Sequence, residues 1–250
     1  MKEFRVKYPY SWVGHIPFAV FLVQKLKPKV IVELGTHTGN SFCSFLYGAK
    51  NYSPETKVYA VDLWTGDHQA GFYDESVYLE LKEYLHSNFS EFGKLIRKDF
   101  NDAVNDFIDN SIDILHIDGL HTYEAVKNDF IKWKPKLTKN AIVLFHDISV
   151  EKDEFGVKKF WSELKVEYQN HFEFYHSNGL GVISVADGRD HFINTLKNDQ
   201  FLVDQFVTFG NCLLDNQLLK VEIDILKPKA SILEKSRYFK LRSDLLRLFK

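Results

Sequence analysis

The stretch VIVELGTHTGNS, residues 30–41, decides the fold. Its first three residues are a β-branched run, which is typical of a strand buried on both faces of a parallel sheet. Glu33 ends that strand, Gly35 and Gly39 bracket a tight turn, and a helix is expected over residues 40–50. Strand, glycine turn and helix together form the first βα unit of a nucleotide-binding α/β domain.

The glycine spacing of this turn bears on the ligand. A dinucleotide-binding turn reads G-x-G-x-x-G, because its backbone N–H groups must close on a pyrophosphate. Here the pattern is E-x-G-x-x-x-G, with fewer glycines and a carboxylate at the strand end. That pattern suits a ligand that has no phosphate and offers an ammonium or hydroxyl group, such as S-adenosylmethionine. A plain strand-to-helix turn in another kind of α/β protein is the alternative.

The composition fits one α/β domain with an appendage. The 250 residues are 45% hydrophobic and 26% charged, and the formal net charge of -2 gives no sign of a nucleic-acid-binding protein. Two cysteines, Cys43 and Cys212, cannot form a disulfide framework and fit a reducing compartment. The first ten residues lack the apolar core of a signal peptide, and no apolar run approaches the ~20 residues of a membrane span. We therefore expect a cytoplasmic protein.

Further strands give the predicted architecture. The turn Asn178-Gly179 favours a hairpin between the last two of them, so one strand should run antiparallel to the rest. We predict a Rossmann-like, doubly wound, mostly parallel sheet of seven strands with this hairpin at one edge. The later strands are expected at residues 57–62, 94–97, 112–118, 141–145, 171–176 and 181–185.

The segments at either end of the chain differ from this domain. Residues 1–28 form an N-terminal lid and helix, in which Trp12 and His15 could close over a ligand or simply pack. We place the cofactor domain at residues 1–188 and a helical extension at residues 189–250. The extension is basic from residue 220 onwards, with nine Lys or Arg against four Asp or Glu. Such a helix could lie on an anionic membrane or on a partner, pack on its own domain, or support a homodimer.

Carboxylates recur where the predicted strands end, at the edge of the sheet where α/β proteins bind ligands. Asp62 could accept both ribose hydroxyls of a nucleoside, because a carboxylate offers two oxygens to two donors. Trp64 could stack on adenine. Asp99 could accept from the adenine amino group, or it could be the N-cap of the following helix.

A second set of polar residues follows the fourth and fifth strands of the predicted sheet. Asp118, Asp147 and His146 would give an oxygen-rich site suited to Mg²⁺ or Mn²⁺, which would lower the pKa of a bound hydroxyl. His121 could take the proton as a general base, since its ordinary pKa lies near neutrality. The alternative is that His121 caps the next helix and Asp118 orders the loop.

A rival reading groups His116, Asp118 and a further histidine as a two-histidine, one-carboxylate site for Fe(II). Because His116 lies inside a strand between Leu115 and Ile117, it is more typical of a core histidine.

Four segments together resemble class I S-adenosylmethionine-dependent methyltransferases. The segments are VIVELGTHTGNS, the strand ending at Asp62, IDILHIDGLHTYEAVKNDF and AIVLFHD. The likeness covers about residues 11–187 and is greatest to the branch related to macrocin O-methyltransferase and to methyltransferases of surface-glycan clusters. That branch usually carries two adjacent acids where this chain has His146-Asp147.

The resemblance implies a role for several residues. It implies that Asp62 holds the ribose and that Asp118 is a metal ligand. The residues expected to contact the cofactor are Glu33, Gly35, Thr36, Gly39, Asn40, Asp62, Trp64 and Asp99.

The function expected from these features is an O-methyltransferase. It would move the methyl group of S-adenosylmethionine to a hydroxyl of a sugar or glycan-related metabolite, with His121 and Asp118 as catalytic residues and a divalent metal assisting. The alternatives are a metal-dependent oxygenase on the same fold and a non-catalytic protein that docks on a membrane or partner through its basic tail.

Overall fold

The computed structural model describes residues 4–185 and 187–235. Its centre is a seven-stranded sheet, and residues 66–72 form a separate two-stranded hairpin. The strands are β1 (Val30–Leu34), β2 (Lys57–Asp62), β3 (Gly66–Asp67), β4 (Gly71–Phe72), β5 (Gly93–Arg97), β6 (Ile112–Ile117), β7 (Leu137–His146), β8 (His171–Phe174) and β9 (Leu180–Ser184).

The order of strands in the large sheet is β5-β2-β1-β6-β7-β9-β8. The first five are parallel to one another, while β9 runs antiparallel to both β7 and β8. The predicted seven-stranded, mostly parallel sheet with a hairpin at one edge is therefore confirmed. The order also reverses at β1 and β6, which is the switch point where ligands bind in open α/β sheets.

The described residues contain eight α-helices. They are α1 (Ile16–Leu26), α2 (Asn40–Tyr52), α3 (Glu75–Phe89), α4 (Phe100–Ala103), α5 (Tyr123–Trp133), α6 (Val157–Glu167), α7 (Asp190–Asn198) and α8 (Gln200–Lys235). Short 3-10 turns occupy Val13–His15, Val104–Asp106, Lys134–Lys136 and Asp187–Arg189.

Two segments above the carboxyl ends of the strands form walls of the expected site. Residues 64–74 contain the β3–β4 hairpin, in which Gly66 and Gly71 have positive φ angles. Residues 153–154 form a turn, and α6 begins at Val157, directly after Gly156.

The core consists of the strands and the helix faces that pack on them. On one side of the sheet it includes the large aromatic side chains of Trp133, Phe145 and Trp161, each at most 2% exposed. Such burial contributes on the order of 2 kcal/mol or more per side chain. This packing holds the ends of β6 and β7, from which the polar residues of the next section project.

Among the described residues, those up to Gly210 form one compact unit and those from Asn211 onwards form a second. The predicted boundary at residue 188 stays a prediction, and most of the expected basic tail, from residue 236 on, lies outside the described residues. Within the part of the chain that the structure describes, no helix combines the length and the apolar character that a membrane span needs.

Candidate active site

A cleft with two lobes lies at the carboxyl ends of the strands. The first lobe, a cavity of about 330 Å³, reaches from Asp62 to Asp129. The second lobe, of about 400 Å³, reaches from Thr36 to Asn178. The residues that line both lobes are Gly35, His37, Ala70, Asp118 and His121. The cleft is therefore continuous at the tips of β1 and β6.

Gly35 makes this continuity possible. Its φ is +84°, a left-handed conformation that L side chains rarely adopt, and a Cβ there would lie 2.2 Å from the carbonyl oxygen of Asp118. The turn after β1 and the tip of β6 thus touch through their backbones. Gly39 also has a positive φ and directly precedes α2, so the helix N-terminus faces the second lobe with its free N–H groups.

Asp62 binds the glycine turn directly. Its Oδ2 accepts hydrogen bonds from the backbone N–H groups of Thr36, at 2.8 Å, and His37, at 2.9 Å, and its Oδ1 accepts from that of Trp64 at 2.7 Å. The carboxylate lines the first lobe while it orders the turn. Its predicted ribose contact therefore requires ligand hydroxyls to share oxygens that already accept backbone bonds, which a carboxylate with about four lone-pair positions allows.

The predicted aromatic platform is not at the cleft wall. Trp64 is 1% exposed and lines neither lobe, and its indole N–H donates to the carbonyl oxygen of His37 at 3.0 Å. The side chain thus supports the turn from behind. The aromatic rings that do line the first lobe are Phe100 and Tyr73, the latter packed on His37 with ring centroids 4.5 Å apart.

Glu33 lies in the core and lines neither lobe. Its Oε2 accepts from His116 Nδ1 at 2.9 Å, and His116 Nε2 accepts from the indole N–H of Trp12 at 3.1 Å. All three side chains are buried, and Oε1 of Glu33 has no hydrogen-bond partner. The role of Glu33 in cofactor contact stays a prediction. The Fe(II) reading does not fit this geometry, because both ring nitrogens of His116 are occupied.

Thr36 and Asn40 lie where the second lobe begins. The Thr36 hydroxyl is buried and has no hydrogen-bond partner, so a polar ligand group could use it. The Asn40 amide is already occupied: it donates to the carbonyl oxygens of Lys7 and Pro9 and accepts from the N–H of Lys7. Asn40 therefore ties the N-terminal segment over this lobe.

Asp99 combines the two roles that the sequence left open. Its side chain accepts from the N–H of Asn101 at 2.8 Å as the N-cap of α4, and it also lines the first lobe. One of its oxygens is thus committed to the cap.

Two acids and two histidines form a cluster at the junction of the lobes. His121 Nε2 lies 2.8 Å from Asp147 Oδ2 and 3.7 Å from Asp118 Oδ1. His146 Nδ1 lies 3.2 Å from Asp118 Oδ1 and 3.4 Å from Asp147 Oδ2. Asp147 has a φ of +62°, an uncommon conformation for a residue other than glycine, and Asn178 holds its Oδ1 at 2.8 Å. Four residues predicted from sequence therefore do meet in space.

The charges of this cluster support one another. Burial would lower the pKa of His121, but the carboxylates of Asp118 and Asp147 outweigh burial and raise that pKa to about 9. Burial would raise the pKa of Asp118, but His146 and His121 hold it at about 2. The same two histidines lower the pKa of Asp147. At neutral pH the acids are ionised and the free protein's His121 carries a proton.

His146 acts as a donor at both nitrogens. Its Nε2 lies 3.0 Å from the carbonyl oxygen of Ser177, which can only accept, and its Nδ1 faces the Asp118 carboxylate. Burial lowers the pKa of His146, yet Asp118 and Asp147 raise it well above its ordinary value. His146 thus resembles a fixed cation between two acids, with no lone pair free for a metal.

The residues that could hold a metal ion are Asp118, His121 and Asp147, whose ligand atoms all lie within 4.8 Å of one another. Two carboxylate oxygens and one imidazole nitrogen suit Mg²⁺ or Mn²⁺. This set differs from the predicted one by having His121 where the sequence suggested His146. The predicted metal site stays a prediction, and its most favourable form uses His121.

Two features of the site were not predicted. Gln69, at the turn of the β3–β4 hairpin, accepts through Oε1 from the N–H of His121 at 2.9 Å and contacts His121 Nδ1 at 3.2 Å. Asp129, in α5, lines the first lobe. Gln69 carries no motif that could have revealed it. Asp129 lies on α5, which begins at Tyr123, the last residue of the D-G-x-H-x-Y segment.

Comparison with known proteins agrees with this architecture. Residues 32–148 match a family model described as a methyltransferase domain. A protein of Sinorhizobium fredii, described as uncharacterized protein y4gI, is 39% identical over 210 residues, which are 81% of this chain and 23% of that protein. The chain therefore spans about a quarter of the length of this curated relative.

Solved methyltransferases share the fold at low sequence identity. The O-methyltransferase TomG of Streptomyces achromogenes, in complex with SAM, is 12% identical with a TM-score of 0.54, covering 74% of this chain and 83% of that one. An O-methyltransferase of Bacillus cereus, in complex with SAH, is 13% identical with a TM-score of 0.52, covering 72% and 83%. The SAH-bound methyltransferase PaMTH1 of Podospora anserina is 15% identical with a TM-score of 0.53, covering 69% and 78%.

These findings say which class of protein the chain resembles. Residues 32–148 resemble a methyltransferase domain, and the described residues form a Rossmann-like, seven-stranded sheet like that of the solved methyltransferases.

Proposed function

We propose that the protein is an S-adenosylmethionine-dependent O-methyltransferase. The observation that carries the proposal is the two-lobed cleft whose lobes join at Gly35 and Asp118. An adenosyl group in the first lobe and an acceptor in the second would meet at that junction, where the acid–histidine cluster lies. The cleft fits the cofactor, because Gly35 leaves room for close approach and the buried Thr36 hydroxyl lacks a partner.

The chemistry is an in-line displacement that the chain's own residues align. When bound, S-adenosylmethionine supplies a methyl group on a sulfonium; the C–S bond breaks as the acceptor O–C bond forms. His121 Nε2 takes the hydroxyl proton, provided that it is neutral when the acceptor arrives. Such a positioned base contributes about 10²- to 10⁴-fold in rate. Alignment of the acceptor and exclusion of water supply the rest.

Asp118, His121 and Asp147 would hold a divalent ion if one takes part. Such an ion would lower the pKa of the acceptor hydroxyl and offset the negative charge of the two acids. An ion bound to His121 would leave the proton to another acceptor, so metal ligand and general base are competing roles for this residue. A sugar or glycan-related hydroxyl as acceptor rests on the resemblance to the macrocin branch.

Calorimetry and a transfer assay test the proposal. We expect the demethylated cofactor, S-adenosylhomocysteine, to bind with an affinity in the micromolar range, about 1 μM to 1 mM. Methyl transfer to a panel of sugar hydroxyls should be reduced by Asp118→Asn, with and without added Mg²⁺ or Mn²⁺. The absence of binding by either cofactor form would contradict the proposal, whereas binding with indifference to metal and chelator would contradict only the metal.

A further inference from the structure

Asp129 is a buried acid that faces the first lobe. It lies on α5 and is only 6% exposed, yet it lines the cavity. A Cβ built on Gly119 would lie 3.6 Å from Asp129 Oδ2 and 2.5 Å from Cε2 of Phe100. The carboxyl group and the aromatic ring of Phe100 therefore both border Gly119 at one end of the lobe, where a side chain at residue 119 would collide with the ring.

The carboxyl group has little that would stabilise a negative charge. Its one hydrogen-bond contact among the described residues is from Asn128 Nδ2, at 3.5 Å, which is longer than an effective hydrogen bond. The amide of Asn128 donates instead to Asn101 at 3.0 Å, and Lys132 binds the same Asn101 oxygen at 2.6 Å. Asp129 is thus buried without a cation in contact.

The charged groups that act on Asp129 come from two elements. Burial raises the pKa of Asp129 and Asp99, before α4, raises it as well, while Asn128 and Lys132, both on α5, lower it; together these effects bring the pKa to about 7. The neutral acid is therefore well populated near neutral pH, unlike the carboxylates of the acid–histidine cluster.

A neutral carboxylic acid has a hydrogen-bonding pattern that a carboxylate lacks. It offers one O–H donor and one carbonyl acceptor, side by side. An adenine edge presents an amino donor next to a ring nitrogen that accepts. The two patterns match, whereas a carboxylate would place a second acceptor against the ring nitrogen. The Phe100 ring next to Asp129 offers a face on which a planar base can stack.

We propose that Asp129 recognises the adenine edge of the cofactor as a neutral carboxylic acid. Its O–H donates to a ring nitrogen, and its carbonyl oxygen accepts from the exocyclic amine. The inference rests on the proposed function and deepens it, because it assigns the first lobe to the base. Asp129 would then be a second acid beside the base, in addition to Asp99, whose Oδ1 already accepts a hydrogen bond from the N–H of Asn101.

The test is the pH dependence of S-adenosylhomocysteine binding, measured by calorimetry in buffers of different ionisation enthalpy. For the wild-type protein, affinity should fall by up to about tenfold per pH unit above the pKa of Asp129, with uptake of a proton on binding. In Asp129→Asn the amide keeps one donor and one acceptor, so binding should persist without that proton uptake. Asp129→Leu should bind at least about tenfold more weakly at every pH, because it loses both hydrogen bonds.

A matched control is Asp102→Asn, which removes an exposed acid on α4 that lines neither lobe. It should retain the wild-type proton uptake. Equal proton uptake by wild type and Asp129→Asn, or unchanged affinity in Asp129→Leu, overturns the inference while the proposed function stands. Failure of wild type to bind the ligand at any pH overturns both. A thermal melt of each variant separates lost binding from lost folding.

Discussion

His121 Nε2 lies 2.8 Å from Asp147 Oδ2, although the two residues come from loops after different strands. Because β6 and β7 are parallel neighbours, their carboxyl ends bring the D-G-x-H segment against His146-Asp147. The second nitrogen of His121 faces Gln69, so the orientation of the ring is set from two sides. This relationship turns two separate sequence motifs into one chemical site.

Removal of the His121 imidazole should slow methyl transfer without preventing cofactor binding. For His121→Asn we expect a fall in kcat of about 10²- to 10⁴-fold, because a positioned base is lost. Affinity for S-adenosylhomocysteine should change by less than about threefold, a difference under ~1 kcal/mol. Steady-state kinetics and calorimetry check the two values separately. An equal loss in both would assign His121 to binding.

The pH dependence of methyl transfer should reflect the ionisation of His121. A base acts in its neutral form, and the pKa of His121 in the free protein is raised to about 9. The wild-type rate should therefore rise with pH up to about that value, and the rise should disappear in His121→Asn. Added Mg²⁺ should move the rise to lower pH if it binds the two acids, since a cation there opposes protonation. A flat profile for the wild type would exclude His121 as the base.

Gln69 should position His121 from the β3–β4 hairpin. Its Oε1 accepts a hydrogen bond from the backbone N–H of His121 and also faces Nδ1 of the His121 ring. This arrangement keeps a proton on Nδ1, so Nε2 is the nitrogen that acts as the base. Gln69→Leu should lower kcat by roughly 10- to 100-fold, the usual cost of losing an orienting partner. Gln69→Glu retains the acceptor and should restore part of the rate, and His68→Ala, on the same hairpin, serves as the control. Equal rates in Gln69→Leu and wild type would show that the hairpin does not orient the ring.

The buried chain from Trp12 through His116 to Glu33 should matter for stability. Trp12→Phe keeps the aromatic packing but removes the indole N–H, so we expect a loss of about 0.5–1.5 kcal/mol in the free energy of unfolding. Glu33→Leu leaves the His116 N–H unpaired and should cost more, about 1–3 kcal/mol, beyond any packing change. Urea denaturation measures both. Comparable stability for Glu33→Leu and wild type would mean that this hydrogen bond contributes nothing net.

Stability at alkaline pH should be limited by Asp129. Its folded-state pKa of about 7 lies above the ordinary 3.8, so between these values the native state holds a proton that the unfolded chain releases. The contribution is fully present below about pH 4 and is lost as pH rises through 7, with a total on the order of 4 kcal/mol. Asp129→Asn should therefore equal or fall below wild type in acid and exceed it at high pH. Parallel unfolding curves at all pH values would contradict this.

Much of the architecture was predictable from local pattern. The β-branched run before Glu33, the glycine turn and the Asn178-Gly179 hairpin are short-range signals, and each describes backbone geometry that the structure contains. Acids at strand ends were recognisable because parallel strands must share one carboxyl edge. Asp62, Asp99, Asp118 and Asp147 line the cleft for that reason.

The direction in which a side chain points was harder to predict. Residue spacing places Glu33 at a strand end, but its alternation along β1 turns it into the core towards His116. Trp64 has a φ of +53°, and the resulting bend buries its ring beneath the cleft. Gln69 lies in a hairpin that carries no hydrophobic periodicity, so nothing in the sequence linked it to His121.

The measurement that tests the central claim most directly is calorimetric titration of the 250-residue chain with S-adenosylhomocysteine, beside a Gly35→Val variant. Valine at 35 would place side-chain atoms against the Asp118 carbonyl in a backbone conformation that branched residues avoid, which closes the junction of the two lobes. A thermal melt confirms that the variant is folded. We expect one ligand per chain for the wild type and at least about tenfold weaker binding for the variant, a difference of ~1.4 kcal/mol or more. No binding by the wild type, or equal binding by a folded variant, would contradict the account.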